Sequence, residues 1–292
     1  MKQKIKQWHD KNYKRLLLIP IILLLFSFIY LGVFYSSTGD FFKKDISLTG
    51  GTSVTLYSSL VPQTLEQDLQ LQLEEISTRQ IYDIITQEQK AIIIETKTES
   101  EITRTVLEEY LGYELNEKNS SFEFTGSTLS QSFYKQLLIA LIVAFIFMAL
   151  VVFIIFRSFV PSAAVIISAL ADIIMTLTLV NIFGIKLSTA GIVAILMLIG
   201  YSVDTDILLT TRVLKREEGD LNSRIFGAFK TGTTMTLTSL VAMALALVII
   251  SSFSIILSQI FTIIVIGLFF DLLNTWITNV SILKWYALKK QK

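Results

Sequence analysis

The chain contains no cysteine and a single histidine, His9, in 292 residues. Disulfides, thiolate metal or redox sites and cysteine nucleophiles are therefore excluded, and one imidazole leaves little from which to build a zinc site. No cofactor is expected. What the chain has in excess is apolar side chains, at 52%, with a mean hydropathy of +0.62. That is well above a soluble domain of this length, and it marks a membrane protein.

Six runs are long enough to cross about 30 Å of hydrocarbon as helices. They cover roughly 16 to 36, 137 to 156, 161 to 183, 187 to 210, 234 to 250 and 255 to 280. The first follows a basic head, residues 1–15, and its apolar part is about twice a signal-peptide core with no A-x-A cleavage pattern after it, so it reads as a retained anchor. With that head in the cytoplasm, the inside segments hold 16 of the 25 Lys and Arg residues, including Arg157 and the basic tail at 284–292. The positive-inside rule favours this orientation, in which residues 137–283 form the remaining spans and both termini are cytoplasmic. The large segment 37–136 then faces outward, and the outside carries 9 basic against 16 acidic residues. Such a surface offers no basic stripe for phosphates, so no nucleic-acid partner is expected.

Within 37–136 the pattern changes. Residues 46–57, ISLTGGTSVTLY, alternate as a strand does, interrupted by the pair Gly50 and Gly51 as at a bulge or bend. Residues 64–76 carry helical spacing, TRQIYDIITQ and KAIIIETK read as a strand pair, ESEITRTVLEEYLG as a second helix and FEFTG as a last strand. The order βαββαβ is that of the split βαβ, ferredoxin-like motif. This α+β domain is either a solvated cap or a specific binding module.

Charged groups inside a membrane are costly, at least ~2.5 kcal/mol for an aspartate on insertion scales, so each is first read as functional. Asp172 lies near the middle of the third span. Asp204 and Asp206 lie in the fourth, two positions apart and so on nearly opposite sides of the helix. Asp204 is the favoured relay acid: Tyr201 and Ser202 are close, and the small residues Gly191, Ala194 and Gly200 allow neighbouring helices to approach. Asp206 is expected nearer the interface, within reach of Arg212 or water. The fifth span opens with KTGTTMTLTS, placing Lys230 at the cytoplasmic edge and Thr231, Thr234 and Thr238 on one face. Asp271 and Asn274 share a face of the sixth. Together these residues fit a proton or ion relay, in which an aspartate shielded from water changes charge with Lys230 biasing it, better than a catalytic dyad.

The stretches SLTGG, STLSQSFYKQ, LIGYSVDTDILLTTRVLKRE and AFKTGTTMTLTSL, taken together, resemble the SecF branch of the SecD/SecF family of protein-export membrane proteins, archaeal type. The residues that carry the resemblance include Gly50, Gly51, Gly200, Tyr201, Ser202 and Arg212. The resemblance covers essentially the whole chain. It implies a membrane α-helical fold, six transmembrane helices forming one half of an RND/SecDF-like assembly with an extracytoplasmic ferredoxin-like domain. It also implies an accessory role in export, a motor and scaffold rather than an enzyme. The implied partners are SecD, the Sec translocon channel and the unfolded exported polypeptide, beside membrane lipid. Bacterial relatives place Asn-Asp after their GYSI, where this chain has Asp204 and Thr205, and an arginine where it has Lys230.

Two other classes compete. A half-transporter of the RND type shares the plan of spans plus outer domain. An intramembrane aspartyl protease would pair Asp172 with Asp204, but the flanking residues are LAD and SVD rather than Tyr-Asp and Gly-x-Gly-Asp.

Overall fold

A computed structural model of the chain describes residues 12–13, 15–57, 64–82, 86, 88–215, 219–251 and 254–290. Most of the basic head, His9 included, and the last two residues of the basic tail lie outside the described residues. In chain order the elements are α1 (Leu18–Thr38), α2 (Ile46–Thr49), β1 (Gly51–Leu56), α3 (Leu65–Leu69), β2 (Ser77–Tyr82), β3 (Gln89–Thr96), α4 (Ser100–Leu111), β4 (Ser120–Thr125), α5 (Ser127–Phe156), α6 (Phe159–Ile182), α7 (Thr189–Leu214), α8 (Leu221–Ile250) and α9 (Ile255–Leu273). A π-helical segment, Asn274–Asn279, joins α9 to α10 (Val280–Lys290).

Six of these helical stretches are long and apolar enough to cross a membrane, α9 through α10 counting as one. In lipid the backbone has no water to bond, so an apolar run closes its own hydrogen bonds as a helix. Ends are set by local chemistry. Gly39 stops α1 in the left-handed region, its N–H bonded to the Tyr35 carbonyl. The side chain of Ser188 caps α7 by accepting from the Gly191 N–H. The spans are not equally enclosed: 61% and 56% of the apolar windows of α6 and α7 are buried, against 6% for α5 and α8. The inner pair is thus where a polar side chain would be hidden, while α5 and α8 turn broad apolar faces outward.

The α+β domain has sheet order β2-β3-β1-β4, with every pair antiparallel. That is the ferredoxin-like arrangement. Val54 lies opposite Ile94 on one side and Phe122 on the other. Alternate residues Val54, Leu56, Ile92 and Ile94 pack with Leu65, Leu69 and Leu107 of α3 and α4 into a core separate from that of the spans.

Two local readings of the sequence are corrected. Residues 46–49 form a helical turn rather than the start of a strand, because the Asp45 side chain accepts from the Ser47 N–H and sets a cap. The helix expected over 64–76 stops at Leu69. Downstream, the carbonyl of Glu74 is taken by the Lys97 N–H and the Thr96 hydroxyl, and its N–H by Thr98 Oγ1, so the strand edge outcompetes the helix for that backbone.

The domain is stitched to the spans at the connection between α6 and α7. The Asn181 side chain donates to the Phe41 carbonyl at 2.9 Å and accepts from the Lys43 N–H at 3.0 Å. Asp45 and Leu187 add two backbone bonds, Asp45 N–H to the Leu187 carbonyl and Leu187 N–H to the Lys43 carbonyl. Above them lies an ion network: Arg79 reaches Glu95 at 2.8 Å and Asp45 at 3.4 Å, while Lys186 donates to Ser77 Oγ at 2.6 Å. Asn181 is 2% exposed, so truncating it leaves a backbone carbonyl and N–H without partners. Asn181→Ala is expected to lower stability by about 1–3 kcal/mol, read as a fall in the thermal midpoint of the purified chain.

Candidate functional site

Three aspartates meet in the interior of the helical bundle. Asp172 of α6, Asp206 of α7 and Asp271 of α9 are each 0% exposed. On α7 the inward face is written by Ile195, Leu198, Ser202, Asp206, Leu209 and Val213, all buried and spaced by three or four residues. The π-helical segment supplies the partners. Its wider turns bring Asn274, Thr275, Thr278 and Asn279 inward together, all buried. Such insertions recur at functional sites.

The hydrogen bonds fall into two neighbouring sets, one around Asp172 and one around Asp206 and Asp271. Asp172 accepts from Ser202 Oγ at 2.6 Å and from Asn274 Nδ2 at 2.7 Å. Asp206 Oδ1 accepts from Asn279 Nδ2 at 2.7 Å and contacts Thr275 Oγ1 at 2.8 Å. The same Thr275 oxygen lies 3.1 Å from Asp271 Oδ1. Thr278 in turn donates to Asn274 Oδ1 at 3.2 Å, fixing the amide that serves Asp172. Among the described residues, several buried atoms have no hydrogen-bond partner: Asp206 Oδ2, Asp271 Oδ2, Asn279 Oδ1 and Ser168 Oγ. Among the described residues, no ion pair reaches any of the three acids.

Close helix packing seals the cluster. A Cβ on Gly267 would lie 2.4 Å from the Leu198 side chain, and one on Gly232 would lie 2.5 Å from the Trp276 ring. Gly191 and Ala194 are buried on α7, and a Cβ on Gly191 would lie 2.7 Å from Leu187.

The structure redistributes the residues read from sequence. Asp204, expected to be the shielded acid, is exposed, whereas Asp206, expected near the interface, is fully enclosed. The two do lie on opposite sides, but the inward side is the one that carries Ser202 and Asp206. Arg212 does not serve Asp206; its Nη1 donates to the Gly227 carbonyl at 2.6 Å and ties α7 to α8. Lys230 is exposed and forms no ion pair among the described residues. Thr231, Thr234 and Thr238 bond back to carbonyls of their own helix, so they form no file of free hydroxyls. Gly200 is exposed with nothing within 4 Å of where a Cβ would stand, and it mediates no close approach within this chain. Tyr201 packs half-buried against the main apolar core. Thr275 and Asn279 were not singled out from sequence. The signal available was a run of polar residues at four-residue spacing, Asp271, Thr275 and Asn279, in an otherwise apolar span.

The fold and this enclosed acid cluster define a polytopic membrane protein with a polar interior and a ferredoxin-like domain on one side. The family model for the SecD/SecF protein export membrane protein, C-terminal, matches residues 105–289. The protein-export membrane protein SecF of Methanocaldococcus jannaschii is 40% identical over 285 residues, covering 94% of this chain and 96% of that protein. SecF of Methanothermobacter thermautotrophicus is 39% identical, covering 94% and 93%. The chain belongs to the SecD/SecF family of protein-export membrane proteins. The crystal structure of SecDF from Thermus thermophilus, a translocon-associated membrane protein, superposes with a TM-score of 0.75 at 18% identity over 94% of this chain. This chain spans 38% of the length of that one, so the likeness speaks for the fold alone.

Proposed function

We propose that the chain is the SecF-type accessory subunit of a Sec protein-translocation system, acting with a SecD-type subunit to promote export of polypeptides. It works as a motor and scaffold rather than as an enzyme. The observation that carries this reading is the near full-length match to curated SecF proteins. Two features of the surface support a second subunit. The outward faces of α5 and α8 are almost wholly uncovered. Asp204, about 15 Å along the helix from its end at Leu214, is exposed on a span, where lipid would be an expensive neighbour. A SecD-type subunit covering α8 and the outer side of α7 would remove that cost. Co-purification from mild detergent tests it: a SecD-type chain in stable complex is expected, and a solitary homo-oligomer would overturn the assignment.

The enclosed cluster is, in this proposal, where protons are held during transport. Three carboxylates out of water with no counter-ion among their partners cannot all remain ionised. Donor counting agrees. Thr275 has a single hydroxyl hydrogen and two carboxylate neighbours, so it donates to one while the other must carry a proton to donate in return. A protease reading gains nothing, since Asp172 is fully enclosed while Asp204, the acid it would have to share a proton with, is exposed on the other side of α7.

The orientation proposed is the α+β domain outside with both termini in the cytoplasm, resting on the distribution of Lys and Arg. The chain lacks cysteine, so single introduced thiols report location without background. Thr105→Cys, exposed on α4, is expected to react with a membrane-impermeant maleimide in intact cells. Ser223→Cys, exposed near the start of α8, should react only after lysis. The reverse pattern would invert the topology.

A further inference from the structure

A second feature, lysine-rich with a largely apolar wall, lies where the α+β domain meets the spans. A cavity of about 460 Å³ is lined by Lys44, Thr49, Lys97, Gln131, Tyr134 and Lys135. Three lysines, a tyrosine, a glutamine and a threonine line it beside Leu48, with no carboxylate among the lining residues. The concentration is unusual for this side of the molecule, where acids outnumber bases 16 to 9. Two of the lysines are held in place from behind: Lys44 is 2.6 Å from Asp40 and stands 4.6 Å from the centre of the Tyr134 ring, and Lys97 is 2.5 Å from Glu75. Lys135 has no ion pair or ring contact among the described residues.

The position identifies the ligand further. Lys135 is two residues before Leu137, where the apolar run of α5 begins. From there Ile139, Ile142, Ile146 and Phe147 stand outward, each 58–64% exposed. We propose that this cavity binds the phosphodiester headgroup of an anionic membrane lipid, in the leaflet on the side of the α+β domain, with the lipid chains laid along the outer face of α5. Lysines at a membrane surface attract anionic lipid by about a fivefold gain each. A free phosphate would use the same lysines but would have no use for the apolar track below them. The site also bridges the α2 region, β3 and α5, so an occupied cavity fastens the outer domain to its span.

The test uses the full chain, with its partner if one co-purifies, in detergent. Phosphatidylglycerol binding is measured by native mass spectrometry in competition with phosphatidylcholine. Lys97→Gln/Lys135→Gln is expected to weaken phosphatidylglycerol binding roughly 30-fold. The control Lys90→Gln/Lys118→Gln, which removes the same charge elsewhere on the domain, should leave it within about twofold. Equal retention in both doubles would overturn the proposal. So would displacement of the lipid by millimolar inorganic phosphate with the same lysine dependence, which would mark a site for a free anion. If the double variant fails to fold, Lys135→Gln alone, which breaks no ion pair, should still show about a fivefold loss, and its absence overturns the site.

Discussion

Asp206→Asn is expected to abolish the part of export that depends on the proton gradient while leaving the chain folded, inserted and assembled. The substitution keeps shape. The new side chain still offers an oxygen where Asp206 Oδ1 now accepts from Asn279 and meets Thr275, and its amide nitrogen takes the place of Oδ2, which has no hydrogen-bond partner among the described residues. What is lost is the ability to take up and release a proton. Asp206→Ala is the harsher comparison, because it leaves the buried Asn279 amide without its acceptor, at about 1–3 kcal/mol, and empties the space of the carboxylate, so it should depress stability as well as activity. The measurement is protease-protected substrate in vesicles that carry the chain with its partner, with and without an uncoupler. Asp204→Asn is the discriminating control. It should keep most of the gradient-dependent export, since Asp204 lies outside the enclosed cluster. A dead Asp204→Asn beside an active Asp206→Asn would move the coupling group to the outer side of α7.

That contrast also shows where sequence reasoning reaches and where it stops. Apolar runs of about 20 residues announce helices, because lipid admits little else. The starts of α5 and α8, at Ser127 and Leu221, precede the apolar runs at 137 and 234, because a helix continuing into water carries no hydropathy mark. The alternation of Val54, Leu56, Ile92 and Ile94 made the sheet legible, whereas the end of α3 at Leu69 turned on a backbone competition across the fold. The choice between Asp204 and Asp206 was not available from pattern alone. On a soluble helix the polar side faces water. On a membrane helix the lipid side is as apolar as the packed side, so periodicity shows that two acids are opposed without saying which is inward. The π-helical segment was hidden for a related reason: NTWITN contains no glycine or proline, and the wider turn is settled by what its amides and hydroxyls meet on α6 and α7.

Gly50→Ala is expected to be the most damaging single change in the α+β domain, at about 3 kcal/mol or more. Gly50 has φ +87° and ψ 155°, a region populated essentially by glycine and costing of order 1–3 kcal/mol for other residues. A Cβ there would also lie 2.4 Å from Ser127 Cα and 2.6 Å from Ser127 N. Those atoms are backbone at the start of α5, so no rotamer change relieves the contact, and overpacking adds about 1–3 kcal/mol. Gly51, at φ +145°, meets the same difficulty 2.3 Å from the Thr96 carbonyl oxygen. The pair therefore lets β1 leave the helical turn while lying flat against both α5 and the end of β3, and it sets how the domain stands on its span. Gly112 supplies the calibration. Its φ is +73° but nothing lies within 4 Å of the added carbon, so Gly112→Ala measures the left-handed cost alone, about 1–2 kcal/mol. In the order wild type, Gly112→Ala, Gly50→Ala, the thermal midpoint should fall and the rate of proteolysis between the domain and α5 should rise. Equal effects from the two alanines would mean that the approach to Ser127 carries no energy, and the junction would have to be held by Asn181 and the Arg79 ion network instead.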